Sequence, residues 1–139
     1  MRITAIHSGY IMPTKGTNGA GAFDIYMPIA GIANGISQLI GLGFAAAVPA
    51  GHVALLLPRS SSGAKHGLEL NNTCGVIDSD YRGEWKAAMC TKTGIAFSWA
   101  AGDRVLQFIV VPVADVTLKQ VDSLDETERG AGGFGSSGL

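Results

Sequence analysis

The segment Asn72–Trp85, with the sequence N-T-C-G-V-I-D-S-D-Y-R-G-E-W, brings a carboxylate close to an aromatic ring. Its Val, Ile, Tyr and Trp residues favour strands, whereas its Asn, Gly and Ser-Asp positions are typical of turns. The pattern predicts a β-hairpin with Asp78 at its rim and Tyr81 beside it. Such a carboxylate can orient a water molecule for attack, and the ring can pack on a sugar. The alternative, and the commoner one for an isolated hairpin, is that Asp78 and Asp80 are solvated turn acids.

Groups that suit a phosphate follow a predicted strand at Pro58. Arg59 offers a fork of N–H donors and Ser60 and Ser61 offer hydroxyls, so together with the amides of a turn they can form a phosphate cradle. A solvated turn is the commoner explanation of this short motif taken alone. The G-A-K-H-G run that follows lacks the spacing of a P-loop.

Two further polar residues lie inside predicted strands. Asp24 stands between two apolar residues, which point to the opposite face of the strand, so we expect its carboxylate to face a cleft or solvent. Gln107 is the one amide in the most apolar predicted strand, Asp103–Val113. A buried amide needs hydrogen-bond partners.

The end of the sequence differs from the rest in composition. Gly130–Gly138 contains five glycines and one aromatic residue, Phe134, with Arg129 before it and Ser136–Ser137 within it. Such a segment is a flexible arm unless something orders it. It is either a tail with one stray aromatic, or a lid whose ring stacks on a base while its polar groups meet terminal phosphates.

Composition limits the class of protein. The chain has 139 residues, enough for one domain with one core, and its 47% hydrophobic and 15% charged residues exclude a disordered chain. With a net charge of -1, the chain lacks the excess of positive charge that is typical of nucleic-acid-binding proteins. A few arginines nevertheless suffice to bind a small polyanion. Cys74 and Cys90 lack a metal-type spacing, so we expect buried free cysteines.

The sequence shows no sign of export or membrane insertion. No basic stretch followed by an apolar one stands at the N-terminus. The longest apolar run, Leu39–Ala50, is interrupted by glycine and is shorter than the ~20 residues of a membrane helix. We therefore expect a cytoplasmic protein.

Short apolar segments separated by turn residues predict an all-β protein. No segment before residue 58 has a 3.6-residue apolar period, and Ser62–Leu68 alone suggests a helical turn. The predicted strands are Met1–Ile6, Phe23–Met27, Phe44–Val48, His52–Leu57, Trp85–Thr91, Ile95–Trp99 and Asp103–Val113, with further short strands within Ile29–Gly43.

Five stretches resemble, in the right order, the signature motifs of the trimeric dUTP pyrophosphatases (dUTPases). They are G-A-F-D-I from Gly21, P-R-S-S from Pro58, G-V-I-D-S-D-Y-R-G-E from Gly75, G-D-R-V-L-Q from Gly102 and R-G-A-G-G-F-G-S-S-G from Arg129. One short motif is weak, but five in order are specific. They extend from about Ala20 to Gly138.

The resemblance implies hydrolysis of dUTP to dUMP and pyrophosphate, which limits uracil incorporation into DNA and supplies dUMP for dTMP synthesis. It implies that Asp78 activates the water that attacks the α-phosphate, and that Asp24 holds Mg²⁺ through water. Tyr81 packs under the deoxyribose. The other implied substrate-binding residues are Asn72, Gly75 and Val76 for uracil, Arg59, Ser60, Ser61 and Gln107 for the phosphates, and Arg129, Phe134, Gly135, Ser136 and Ser137 in the arm.

The resemblance also implies a jelly-roll-like β-barrel in residues 1–119 and a flexible Gly-rich arm, 120–139, that closes over the active site. Three chains form a homotrimer whose sites are shared between chains, with dUTP as the partner and neither nucleic acid nor membrane. Asp103 and Arg104 are expected to form a structural pair. Leu42-Gly43 stands where the family usually has Thr-Gly, which we interpret as a local packing change.

Two alternatives remain open. A dCTP deaminase-like enzyme shares the fold, but the full arm with Phe134 and the residues around Asp78 disfavour it. A non-catalytic regulatory module of dUTPase fold is the other. The expected polar groups are all in place, so the sequence offers no reason for inactivity.

Overall fold

The computed structural model describes residues 1–92 and 95–133, and strands dominate this part of the chain. It contains eleven strands and one short helix, so the all-β prediction is confirmed. The elements are β1 (Arg2–Ala5), β2 (Phe23–Tyr26), β3 (Gly31–Ala33), β4 (Gln38–Gly41), β5 (Phe44–Ala47), β6 (His52–Pro58), α1 (Ser60–His66), β7 (Leu68–Leu70), β8 (Gly75–Ile77), β9 (Lys86–Thr91), β10 (Phe97–Trp99) and β11 (Arg104–Pro112).

The strands of the described residues pair antiparallel in four small sheets. The largest has the order β2-β11-β6-β8, a second has the order β4-β9-β7, and β1-β5 and β10-β3 form two pairs. The most apolar predicted strand, β11, lies inside the largest sheet and pairs with β6 from Leu106 opposite Pro58 to Pro112 opposite His52. Pro112 ends the strand, where its missing N–H costs no ladder bond.

The core is built around Trp85, which is fully buried. Its ring centroid lies 5.1 Å from that of Phe44 and 5.2 Å from that of Phe108. Ile77 is also buried, so the 78–84 turn, the seven residues between Ile77 and Trp85, is anchored in the core at both ends. Burying such large apolar side chains is the main stabilisation of a small β domain.

The predicted hairpin at Asn72–Trp85 is wrong in its pairing. β8 pairs with β6, as shown by Leu55 opposite Val76, whereas β9 pairs with β4 and β7 in a different sheet. The turn residues were predicted correctly as a turn. The types of residue in a turn, however, do not determine which strand the following segment pairs with. The 78–84 turn thus crosses from one sheet to another.

After β11 the described chain, 113–133, forms no strand or helix and its side chains are largely exposed. Val116, Leu118 and Leu124 are 71%, 94% and 84% exposed, unusual values for such apolar side chains. No helix in the described part of the chain is long and apolar enough to cross a membrane.

Candidate active site

A buried carboxylate organises the end of the largest sheet. Asp24 is 7% exposed. Its Oδ1 accepts a hydrogen bond from Arg59 Nε at 2.8 Å, and its Oδ2 accepts one from Arg104 Nη1 at 3.2 Å. The carboxylate therefore faces two guanidinium groups rather than open solvent.

The expected pairing of Asp103 with Arg104 is wrong. Asp103 Oδ2 accepts from Ala100 N at 2.8 Å, whereas the Arg104 side chain reaches Asp24. Successive side chains near a strand point to opposite faces, which separates these two neighbours. Sequence reasoning missed Arg104 as a member of the Asp24 cluster, although the arginine in the G-D-R motif was its signal.

The predicted phosphate-binding residues gather beside this cluster. Gln107 lies opposite Asp24 in the register of β11 and β2, and its Nε2 donates to Pro58 O at 3.2 Å. Arg59 Nη1 donates to Arg104 O at 3.1 Å. Ser60 and Ser61 are exposed at the start of α1. These donors, with Asp24 and Arg104, therefore lie together at the end of β6 and are called the Arg59 cluster.

A cavity of ≈ 330 Å³ opens beside the arginines. Arg59, Ser61 and Arg104 contribute polar groups to its wall. His66, to which the sequence assigned no function, stacks on Phe97 with ring centroids 4.5 Å apart and forms part of the same wall. The cavity presents hydrogen-bond donors next to a flat aromatic surface.

A second cavity, of ≈ 170 Å³, lies at the 78–84 turn. It is lined by Val76, Ile77, Asp78, Tyr81 and Lys86. The Asp78 carboxylate is exposed and the Tyr81 ring is 42% exposed, so both can reach a ligand.

The turn before this cavity has a strained backbone. Thr73 has φ 65, which is rare for a β-branched residue, and its N–H donates to Leu70 O at 2.7 Å. Asn72 is exposed at this turn. Gly75 is buried against Leu56, where an added Cβ would lie 3.0 Å from the leucine Cβ. The chain therefore enters β8 through a tightly constrained bend.

The two cavities lie at opposite ends of β6. Ile77, which precedes Asp78, pairs with Ala54 near the start of that strand, whereas Arg59 follows its last residue. Arg59 is five positions along the chain from Ala54, or about 17 Å at about 3.3 Å per residue. Within one chain, Asp78 and Arg59 therefore lie near different ends of β6.

The arm is described only in its first part. Arg129 is exposed, and its Nε donates to Gly132 O at 2.9 Å. The predicted arm residues Phe134, Gly135, Ser136 and Ser137 lie outside the described residues.

Neither cysteine forms a disulfide within the described residues. Cys90 is buried, and burial, with the nearby Glu69 carboxylate, raises the pKa of its thiol. The thiol is therefore a poor nucleophile at neutral pH. Cys74 is only half-buried, so the expectation of burial holds for Cys90 alone.

The chemistry of the donors indicates how a divalent cation would fit. In the described part of the chain, no three His, Cys, Asp or Glu side chains are grouped to hold a metal. Asp24 accepts one hydrogen bond at each oxygen. A carboxylate has about four acceptor positions, so Asp24 can still accept from a metal-bound water. The Asp24 carboxylate therefore fits contact with a divalent cation through water.

Comparison with known proteins agrees with the five motifs. The dUTPase family profile matches residues 9–138. A deoxyuridine 5'-triphosphate nucleotidohydrolase of Wolinella succinogenes is 39% identical over 144 residues, covering 99% of this chain and 93% of the relative. One from Shewanella sp. (strain MR-7) is 42% identical over 137 residues, covering 96% and 90%.

A solved structure shows the same fold. The dUTPase of Staphylococcus bacteriophage 80alpha with dUpNHpp superimposes with a TM-score of 0.88 at 24% identity, covering 99% of this chain and 98% of that one. The jelly-roll-like architecture is confirmed as a fold class, although the sheets do not close into a barrel within the described residues. With its profile matched over residues 9–138 and relatives near 40% identity along almost the whole length, the chain belongs to the dUTPase family.

Proposed function

We propose that this chain hydrolyses dUTP to dUMP and pyrophosphate, the activity in the names of its relatives. The reaction limits uracil incorporation into DNA and supplies dUMP. The geometric observation that carries the proposal is the pairing of an exposed carboxylate, Asp78, with an exposed ring, Tyr81, in one cavity of ≈ 170 Å³. This pairing suits a water-activating base beside a sugar.

In the proposed mechanism Asp78 accepts a proton from a water molecule as that water attacks the α-phosphorus. A bond forms between the water oxygen and the α-phosphorus, and the bond to the oxygen bridging the α- and β-phosphates breaks. Pyrophosphate leaves with that bridging oxygen. Because the carboxylate both positions and deprotonates the water, one residue supplies orientation and general-base catalysis.

The Arg59 cluster is proposed to bind the triphosphate. Arg59 has five N–H donors, and the bonds to Asp24 and to Arg104 O occupy two of them. Gln107 has one amide hydrogen beyond the one given to Pro58 O. The remaining donors, with Ser60, Ser61 and Arg129, can stabilise negative charge that develops on the leaving pyrophosphate.

A divalent cation is implied by the family, and we propose Mg²⁺ carried by the triphosphate. Asp24 is proposed to hold it through water, a mode that suits a cation which keeps several waters. When bound, the cation neutralises charge on the phosphate oxygens.

The proposed base and sugar contacts come from β8 and its neighbours. β8 is the last strand of its sheet, so the backbone groups on its outer edge are free of strand partners within the described chain. A uracil can therefore hydrogen-bond to the backbone at Gly75 and Val76, aided by the Asn72 amide. Tyr81 is proposed to pack under the deoxyribose and leave no room for a 2′-hydroxyl.

Two observations support a homotrimer with shared active sites. Asp78 and Arg59 lie near opposite ends of β6, a separation that favours a site in which a triphosphate lies between two chains. The exposed apolar side chains of Val116, Leu118 and Leu124 suit burial against another copy. We propose that residues 1–119 form the barrel domain, and that the arm, 120–139, closes over a neighbouring site.

In that arm, Phe134 is proposed to stack on the base, with Gly135, Ser136 and Ser137 near the phosphates. The free cysteines fit a reducing compartment, and we propose the cytoplasm. The net charge of -1 favours a small nucleotide over nucleic acid as the partner.

A product assay tests the proposed function and its alternatives. The full chain is incubated with Mg²⁺ and dUTP, dCTP or UTP in turn, and pyrophosphate and ammonia are measured. We expect pyrophosphate from dUTP and little from the other two. Ammonia from dCTP would favour a deaminase, and no product from any nucleotide would favour a regulatory module.

A further inference from the structure

One side chain, Glu84, ties the 78–84 turn to the turn that joins β4 and β5. Glu84 Oε1 accepts a hydrogen bond from Gly43 N at 3.1 Å. Gly43 has φ +77, and a Cβ there would lie 3.0 Å from Pro28 Cβ, so no other residue fits without strain. The glycine amide is thus held in a fixed place for the glutamate.

Backbone hydrogen bonds lock the adjoining residues to the same turn. Leu42 N donates to Trp85 O at 2.9 Å, and Trp85 N donates to Phe44 O at 2.9 Å. Trp85 is fully buried, so this end of the 78–84 turn rests on the core. Glu84 extends that anchor by one residue toward the candidate active site.

The Tyr81 side chain contacts the backbone of Glu84. Tyr81 Oη donates to the Glu84 backbone oxygen at 3.0 Å. The phenol end of the ring lies against Gly83, where any added Cβ would collide with the phenol oxygen and ring carbons. Ring, glycine and glutamate therefore form one packed unit.

The other side-chain hydrogen bonds of this turn stay within it. Arg82 Nη1 donates to Ser79 O at 2.7 Å and to Tyr81 O at 2.9 Å. Among the described contacts, the Glu84 carboxylate is the side chain that joins the turn to another element by a hydrogen bond.

We propose that Glu84 is a positioning residue for sugar selection, because it fixes the turn that orients the Tyr81 ring. The inference rests on the proposed contact between Tyr81 and the deoxyribose. Without the bond to Gly43 N, the turn can shift outward and carry the Tyr81 ring with it. The space that the ring vacates can then accept the 2′-hydroxyl of a ribose.

The test compares Glu84→Ala and Glu84→Gln, with Glu69→Ala as the matched control. The kcat/KM ratio of dUTP to UTP is measured for each full-length variant, together with its Tm. We expect Glu84→Ala to lower the ratio about tenfold, as for the loss of one hydrogen bond to a charged acceptor. Glu84→Gln should stay within about threefold, because its amide oxygen still accepts from Gly43 N.

A double variant shows whether Glu84 acts through the ring. If it does, Tyr81→Ala combined with Glu84→Ala should have the same ratio as Tyr81→Ala alone, because the effects of coupled residues are not additive. Effects that add fully would overturn the proposal. The proposal would also be overturned if folded Glu84→Ala kept the wild-type ratio of kcat/KM for dUTP to UTP while Tyr81→Ala lowered that ratio.

A spectroscopic readout separates this inference from the proposed function. The contact of the Tyr81 ring with Gly83 should give the Gly83 Hα resonances a ring-current shift in the NMR spectrum of the wild type and of Glu84→Gln. We expect Glu84→Ala to lose that shift, and an unchanged shift would overturn the positioning role. An unchanged selectivity in Tyr81→Ala would instead overturn the sugar contact assigned to Tyr81.

Discussion

Asp24 and Arg59, 35 residues apart in the sequence, form an ion pair with 2.8 Å between Oδ1 and Nε. The Asp24 side chain is 9% exposed and that of Arg59 is 28% exposed, so the pair is partly shielded from water. This contact holds the guanidinium at the end of β6, with donors left over for a phosphate. It makes Asp24 the organiser of the proposed phosphate site.

Asp24→Asn should weaken both the fold and catalysis. The amide loses the charge that pairs with Arg59 and Arg104, which we expect to lower the free energy of unfolding by about 1–2 kcal/mol, since both arginines are partly solvated. The kcat/KM for dUTP should fall more than tenfold. Urea unfolding and steady-state kinetics measure the two effects, with the exposed Asp115→Asn as control. Unchanged kinetics in the folded variant would exclude Asp24 from the site.

Asp78→Asn should abolish turnover and leave nucleotide binding within about tenfold, or ~1.4 kcal/mol. The amide keeps the shape of the side chain but cannot take the proton of the water. Calorimetry with a non-hydrolysable dUTP analogue measures nucleotide binding, and a pyrophosphate assay measures turnover. Near wild-type turnover would mean that another group is the base.

Cys74 should react with a maleimide much faster than Cys90. Burial raises the pKa of Cys90, so its thiolate is scarce near neutral pH, whereas Cys74 is half-buried beside the proposed uracil contacts. We expect dUMP to protect Cys74 from labelling and UMP to protect it less. Mass spectrometry of digested protein reports both sites. Equal labelling of Cys74 with and without dUMP would mean that the uracil ring binds elsewhere.

Deleting Arg129–Leu139 should leave a folded oligomer with little activity. Residues 113–133 are largely exposed, so the arm contributes little to the stability of the barrel. Size-exclusion chromatography and a thermal melt check the fold, and a pyrophosphate assay checks the activity. Full activity after truncation would mean that Phe134 has no role in catalysis or substrate binding.

The sequence predicted most of the strands because their apolar patterns are local. It anticipated the central apolar strand at 103–113 and the strands on either side of Gly51 within a few residues. The pairing of β8 with β6 could not be read from local pattern, since three residues carry no information about their partner. Asp103 and Arg104 bind different partners because their side chains lie on different faces of the sheet, which the sequence likewise does not reveal.

The candidate site was predicted through motifs, and its supporting contacts were not. Arg59, Gln107 and Asp24 meet because β2, β6 and β11 are neighbours, an arrangement set by long-range pairing. Glu84 gave no chemical signal in the sequence, because its role depends on Gly43, 41 residues away. Charged side chains that support a turn look the same in a sequence as solvated ones.

We propose that each active site takes Asp78 from one chain and the Arg59 cluster from another. Co-refolding Asp78→Asn with Arg59→Ala, each inactive alone, tests it. Random 1:1 mixing makes about three quarters of the trimers mixed, each with one intact site in three, so about a quarter of wild-type activity should return. A control mixes wild type with the Asp78→Asn/Arg59→Ala double variant, which should give about a quarter if sites are shared and about half if they are not. No recovery in the first mixture, with mixed trimers confirmed by native mass spectrometry, would contradict the shared site.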